Sequence, residues 1–202
     1  MYGVSMSDAS NGVAVGRSGQ IVYTTNGGVD WTDATTTNVG TTYMFGVSMI
    51  DASNGVAVGY SGQIVYTTNG GVDWTDATTT NLLHPEIYGV SMGDANNGVA
   101  VGYSGQIVYT TNGGVDWTAA TTNPHAGTNT IMRGVSMGDA NNGVAVGQSG
   151  QIVYTTNGGV DWTDATTTDV GTNNMHGVSM SDASNGVAVG QSGQIVYTTN
   201  GG

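Results

Sequence analysis

One block of about 43 residues occurs five times along this chain of 202. That repetition constrains the fold more than any single motif does. Gly-Val-Ser-Met begins at Gly3, Gly46, Gly89, Gly134 and Gly177, at spacings of 43, 43, 45 and 43 residues. NGVAVG recurs unchanged from Asn11, Asn54, Asn97, Asn142 and Asn185, and SGQIVYTTNGG from Ser18, Ser61, Ser104, Ser149 and Ser192. VDWT follows it four times, at Val29, Val72, Val115 and Val160. A period of this length belongs to a unit that buries its apolar surface against copies of itself.

Within each unit the pattern predicts four short antiparallel strands. They are Gly-Val-Ser-Met, then GVAVG, then QIVYTT with its alternating β-branched residues, then VDWTDATT. SDASNG or GDANNG joins the first two, where Asp and Asn favour side-chain-capped turns. Asn-Gly-Gly joins the third and fourth, a strong hairpin signal. The prediction is an all-β chain, a β-propeller of five near-identical four-stranded blades in a single domain spanning 1–202. The repeats are 1–45, 46–88, 89–133, 134–176 and 177–202. The sequence stops at Gly202, so the fifth blade is expected to lack its outermost strand. Its third strand would then be an open edge, available for self-association.

Composition supports this and removes several functions. Lys is absent, Glu86 is the only glutamate, and leucine occurs only at Leu82 and Leu83, so helix formers are scarce beside 35 glycines. The net charge is −12, from 14 acidic residues against Arg17 and Arg133. Two cations cannot neutralise the phosphates of a nucleic acid or hold an anionic membrane surface. No apolar run approaches the roughly 18 residues of a transmembrane helix. Without Cys there are no disulfides and no thiolate metal sites. The chain opens inside a repeat with no leader pattern, and the reading leans to an extracellular or cell-surface setting.

The stretch TTNGGVDW, as at Thr24 to Trp31, resembles the Asp-box (BNR) pattern Ser/Thr-x-Asp-x-Gly-x-x-Trp. It departs from that pattern by placing Asn at the Asp position: Asn26, Asn69, Asn112, Asn157 and Asn200. With DASNGVAVG and SGQIVYTTNGGVDW, the wider unit is similar to the repeat of photosystem II stability/assembly factors and related propellers. The resemblance covers the whole chain. It implies that Trp31, Trp74, Trp117 and Trp162 pack between neighbouring blades. It implies little about function, because such propellers include sialidases, assembly factors, receptors and lectin-like modules.

The five copies can also be compared with one another. Their frame is constant and their differences concentrate in two places. One is the first residue of the turn between the second and third strands: Arg17, Tyr60, Tyr103, Gln148 and Gln191. The other is the connector between blades, which ends in Phe45, Tyr88, Arg133 and His176, with Tyr2 at the same position in the first copy. Alternating strand direction puts these turns and connectors on one face and the uniform turns on the other. Tyr, Phe and Arg are among the types that dominate binding surfaces, so these ten residues form the predicted ligand-binding set. Tyr60, Tyr88 and Tyr103 are expected to cluster across the second and third blades. The residue before each connector end, Met44, Ile87, Met132 or Met175, is apolar every time and reads as core.

Catalytic chemistry finds little support. Two arginines cannot make the triad by which sialidases hold a carboxylate. Glu86 and Asp169 are the only carboxylates expected on the variable face, and they lie in different connectors, not as the facing pair of a glycosidase. His84, His125 and His176 each stand alone and read as loop residues. Asp8, Asp51, Asp94, Asp139 and Asp182 read as turn caps. Asp30, Asp73, Asp116 and Asp161, beside the tryptophans, take a strand or turn role. No metal or cofactor is implied, and the chain is expected not to be an enzyme. Two functions stay open. One is a recognition module binding a glycan or a protein surface through the variable face. The other is a structural or assembly scaffold without a small ligand, on a repeat recently amplified or engineered.

Overall fold

The computed structural model of the chain describes residues 1–37, 39–80, 82, 84, 86–167 and 170–202. It is all-β, built from five successive sheets whose own strands are antiparallel, two of them joined by a parallel strand from the preceding blade. The first holds β1 (Gly3–Met6), β2 (Gly12–Val15), β3 (Ile21–Thr24) and β4 (Thr32–Asp33). β5 (Thr35–Thr36) leaves that blade. The second holds β6 (Met44–Met49), β7 (Gly55–Gly59), β8 (Ile64–Thr67) and β9 (Asp73–Asp76), after which β10 (Thr78–Thr80) departs in the same way. The third holds β11 (Ile87–Met92), β12 (Gly98–Gly102), β13 (Ile107–Thr110) and β14 (Asp116–Ala119). The fourth holds β15 (Met132–Met137), β16 (Gly143–Gly147), β17 (Ile152–Thr155) and β18 (Thr163–Asp164). The fifth has β19 (Met175–Met180), β20 (Gly186–Gly190) and β21 (Ile195–Thr198), three strands, as its repeat requires.

The predicted fourth strand is shorter than VDWTDATT. After its first residues it bends at Ala34 or Ala77, whose N–H still donates to Ile21 or Ile64. It then crosses to the next blade. There β5 pairs in parallel with β9, and β10 with β14. Thr35 N–H donates to Val72 O at 2.8 Å, and Thr78 N–H to Val115 O at 2.8 Å. The first two blades therefore fasten their outer edges to their successors', and the third does so through a single parallel bridge between Thr122 and Asp161, which the repeat pattern does not announce.

The core lies between blades. Val13, Val15 and Ile21 of the first blade pack against Met44, Ala57, Val65 and Trp74 of the second. Val56, Val58 and Ile64 meet Ile87, Ala100, Val108 and Trp117 in the same way. The arrangement repeats with Val99, Val101 and Ile107 against Met132, Ala145, Val153 and Trp162. It repeats again with Val144, Val146 and Ile152 against Met175 and Ala188. The expectation that Met44, Ile87, Met132 and Met175 are core residues holds; all four are fully buried.

The inner strands β1, β6, β11, β15 and β19 pack against one another in succession. They approach closely at their glycines: a Cβ on Gly46 would lie 3.2 Å from Tyr88 O and 3.5 Å from the Gly89 Cα. At each step a serine hydroxyl accepts from the next inner strand. Met49 N–H donates to Ser5 Oγ at 2.9 Å, Met92 to Ser48 at 3.2 Å, Met137 to Ser91 at 3.0 Å and Met180 to Ser136 at 2.9 Å.

The Asn of the altered Asp-box has a specific task. Thr67 Oγ1 donates to Asn69 Oδ1 and accepts from Gly71 N–H, while Asn69 Nδ2 donates to Asp73 Oδ2 at 2.8 Å. A carboxylate at this position could not donate to Asp73 and would repel it. Trp74 closes the turn by donating from Nε1 to Gly71 O at 3.0 Å. Trp74, Trp117 and Trp162 are buried between blades as the resemblance implies. Trp31 is not. It keeps its bond to Gly28 O but remains 39 % exposed, against 2 % for Trp74, because none of the described blades packs against it.

Candidate recognition face

Each turn between the second and third strands is a single 3-10 turn with serine in the left-handed region, φ 58° at Ser18 and 61° at Ser61. In the second to fifth blades its first residue is bound to the connector that enters the same blade. Tyr60 N–H donates to Tyr43 O, Tyr103 to Glu86 O, Gln148 to Ile131 O and Gln191 to Asn174 O. The uniform turns bind one another instead, as Gly70 N–H to Ser53 O and Gly113 N–H to Asn96 O. Variable turns and connectors thus sit against each other, apart from the constant ones.

The connector ends have a geometry that sequence periodicity could not supply. Met44 pairs with Gly59 and Gly46 with Val58, so Phe45 is an extra residue bulged out of the ladder. The same shift brackets Tyr88, Arg133 and His176. A bulge bends the strand and re-aims one side chain. Here that side chain is the one that differs from copy to copy.

The residues at this position in the first three blades meet. Phe45 and Tyr88 have ring centroids 5.3 Å apart, and Tyr2 and Phe45 5.8 Å. Tyr43, absent from the predicted set, joins them at 6.4 Å from both Tyr2 and Phe45. Its signal in the sequence was an aromatic residue within a variable connector, two positions before Phe45. Arg17 lies over the Tyr43 ring, with Cζ 5.9 Å from its centroid. The Tyr2 hydroxyl beside that guanidinium, then the charge interactions with Tyr2 and Tyr43, raise the Arg17 pKa. Tyr2, Tyr43 and Tyr60 are exposed, while Phe45 and Tyr88 are half-buried.

Burial, then the neighbouring Glu86, pushes the Tyr88 hydroxyl above its ordinary pKa; Arg133 pulls the other way, and Tyr103 and Tyr60 add small increases. A Cβ on Gly89, next to Tyr88, would lie 3.1 Å from Arg133 O, so the two connector ends adjoin. Tyr103 also makes an edge contact with His84, centroids 5.2 Å apart. Arg133 Nε is buried with no hydrogen-bond partner among the described residues. Of the remaining predicted residues, Gln148 uses its side-chain oxygen to accept from Ile131 N–H at 3.1 Å, holding its own connector. His176 and Gln191 are exposed on the fifth blade, which contributes no aromatic ring to the row.

His125 pairs with Asp164 at 2.7 Å, tying one connector to the outer edge of the fourth blade. Among the described residues no three metal-ligating side chains gather. Asp169 lies outside the described residues. The turn aspartates cap as anticipated: Asp51 Oδ1 accepts from Ser53 N–H at 2.7 Å and from Asn54 N–H at 2.8 Å. What the variable face offers chemically is a row of rings with a guanidinium near each end, suited to apolar and stacking contact.

A family model described as photosynthesis system II assembly factor YCF48 matches residues 1–137. The structure named "YCF48 bound to D1 peptide" is similar at TM-score 0.53 and 15 % identity, covering 98 % of this chain and 92 % of that one. YCF48 from Cyanidioschyzon merolae is similar at TM-score 0.52 and 14 % identity, covering 98 % and 95 %. The GH74 enzyme of Niastella koreensis aligns at TM-score 0.67 and 22 % identity, covering 98 % of this chain but 30 % of that one. At these identities the likenesses are to the fold. Among curated proteins none matches the chain.

Proposed function

Since the chain belongs to the photosynthesis system II assembly factor YCF48 family, we propose that it is a non-catalytic recognition module that binds an extended segment of a protein partner. The segment lies along the row Tyr2, Phe45 and Tyr88. One observation carries this reading: the connector-end residues Tyr2, Phe45 and Tyr88 of three consecutive blades, the last two of them bulged, form a continuous, partly exposed aromatic row. Its ring spacings of 5.3 and 5.8 Å approach the roughly 6.6 Å between alternate residues of an extended chain. Successive side chains on one side of such a segment can each meet a ring. A related protein is known with a peptide bound, which fits a peptide more closely than a sugar. Arg17 and Arg133 are the only two cations of a chain carrying −12, and both stand on this face. The face is therefore less repulsive to acidic or neutral segments than the rest of the surface.

The test is to pan a random dodecapeptide library on the chain and titrate the selected peptides against it by fluorescence polarisation. The comparison is the triple variant Tyr2→Ala, Phe45→Ala, Tyr88→Ala, with a glycan array run in parallel. Aromatic anchors of a binding site contribute about 2 kcal/mol each, so the triple variant should lose more than about a hundredfold in affinity. Peptides that bind the variant equally well would refute the site. Glycan binding without peptide selection would replace the protein partner with a sugar.

A further inference from the structure

Asn-Gly is the dipeptide that loses its side-chain amide most readily, because the unhindered glycine N–H can attack the asparagine before it. This chain carries ten, two in every repeat. One set lies in the turns between first and second strands and includes Asn54, Asn97 and Asn142. The other lies in the Asp-box turns and includes Asn69, Asn112 and Asn157. The Asp-box turn requires both members of the pair. Gly70 has φ 76°, and a Cβ there would lie 2.8 Å from Ala52 O, so a side chain is excluded. Asn69 supplies the Nδ2–H that Asp73 accepts.

The two sets are held differently. Asn54 donates from its N–H and its Nδ2 to Asp51, and Gly55 is buried within β7, paired with Met49 and Thr67. Its backbone cannot swing without parting the sheet. Gly70 lies outside the strands. Its N–H donates to Ser53 O at 2.7 Å, as Gly113 does to Asn96 O at 2.9 Å and Gly158 to Asn141 O at 2.8 Å. Asn69 is exposed to water. Its Oδ1 accepts from Thr67 Oγ1 at 3.0 Å and from Asp73 N–H at 2.9 Å, and its Nδ2 donates to Asp73 Oδ2 at 2.8 Å. The attacking N–H and the amide it would attack are thus both tied down. Opening this one turn frees them together and dissolves no strand.

We propose that Asn69, Asn112 and Asn157 are modification sites gated by opening of the Asp-box turn, deamidating to aspartate or isoaspartate while Asn54, Asn97 and Asn142 stay intact. When the turn opens, Gly70 N loses its proton and bonds to Asn69 Cγ, and Nδ2 leaves with that proton as ammonia. Water then opens the five-membered imide. Cleavage of the new N–Cγ bond restores the peptide and gives aspartate. Cleavage at the former peptide carbonyl gives isoaspartate, whose main chain runs through the side chain. One water enters, one ammonia leaves, and nothing is oxidised or reduced. The change prevents the turn from closing as before. Aspartate sets a carboxylate against Asp73 where an N–H had donated, and the two repel. Isoaspartate lengthens the main chain by a methylene and shifts Thr67 and Asp73 out of reach of each other's partner. These turns belong to the constant face, so the site is independent of the aromatic row.

The experiment is incubation of the folded chain at mildly alkaline pH beside the same chain unfolded in guanidinium, with chymotryptic digestion and mass spectrometry of the deamidated peptides. Cleavage after Tyr66 and Trp74 isolates Asn69 together with its copies, and Asn54 falls in a separate peptide ending at Tyr60. Several hydrogen bonds must break before reaction, so Asn69 and its copies should react at least about a hundredfold more slowly in the folded chain. Asn54 should be slower still. Thr67→Val keeps the side-chain shape and removes the hydroxyl that serves Asn69 and Gly71. It also marks its own peptide by mass, so one digest compares Asn69 with the unaltered copies. In the folded variant Asn69 should react about tenfold faster than those copies, and in guanidinium all should react alike. If every copy accelerates together, the variant has unfolded, and Asp73→Ala decides by the same comparison. That change is at an exposed residue, removes the acceptor of Nδ2 and also alters the peptide's mass. A folded wild type that reacts as fast as the unfolded chain would overturn the proposal. So would Asn54 reacting ahead of Asn69 and its copies, or an Asn69 that gains nothing over them.

Discussion

At the scale of single residues, the constant frame is held by short side chains that cap turns. Asp8, Asp51, Asp94, Asp139 and Asp182 all have pKa values below the ordinary one. At Asp8 and Asp51 the first cause is the Asn side chain three residues on; at Asp94 and Asp139 it is the backbone N–H of that Asn; at Asp182 it is Ser184 N–H. Groups depressed in the folded state contribute stability that is fully present above the unfolded value, about 3.9, and lost as pH falls through the folded values. Thermal midpoints should therefore be level from neutral pH to about pH 5 and fall below about pH 4. Asp51→Asn retains a turn-forming side chain that does not titrate and should make the acid loss shallower. An unchanged acid profile in that variant would remove the turn from the explanation. These roles were legible in the sequence, because Asp before Asn-Gly is a local signal. The left-handed serines, such as Ser61, were not, since that position usually invites Gly or Asn.

At the scale of elements, sequence reading went furthest where pairing is local. The first three strands of every blade lie where alternation and turn residues put them. The fourth was drawn too long, because its Thr residues carry equal strand propensity whether they pair with their own blade or with the next. The bulge at Phe45 was hidden for a related reason: it is a mismatch between two strands, and no one strand encodes it. The tryptophans allow the inter-blade contact to be weighed. Trp74→Ala removes a buried ring from between two blades and should cost about 3–5 kcal/mol. Trp31→Ala removes a chemically identical ring that is 39 % exposed, and should cost well under half as much. Equal losses, measured by denaturant unfolding, would mean that Trp31 is covered as Trp74 is.

At the scale of the whole molecule, the architecture separates constancy from variation. Turns that bind each other on one face are fixed by their own geometry. The connectors and turns opposite them are free to differ, and the bulges aim those differences outward. Fold class and repeat number could be read directly. The meeting of Tyr2, Tyr43, Phe45 and Tyr88 could not, because it depends on how closely Gly3, Gly46 and Gly89 let the inner strands approach. The central claim is that this row is where a partner binds. Hydrogen–deuterium exchange of the chain with and without its best selected dodecapeptide tests it most directly. Protection should appear at the connector ends from Tyr43 to Phe45 and from Glu86 to Tyr88, and in the turns at Tyr60 and Tyr103. Protection confined to the Asn-Gly-Gly turns of the opposite face would contradict the account.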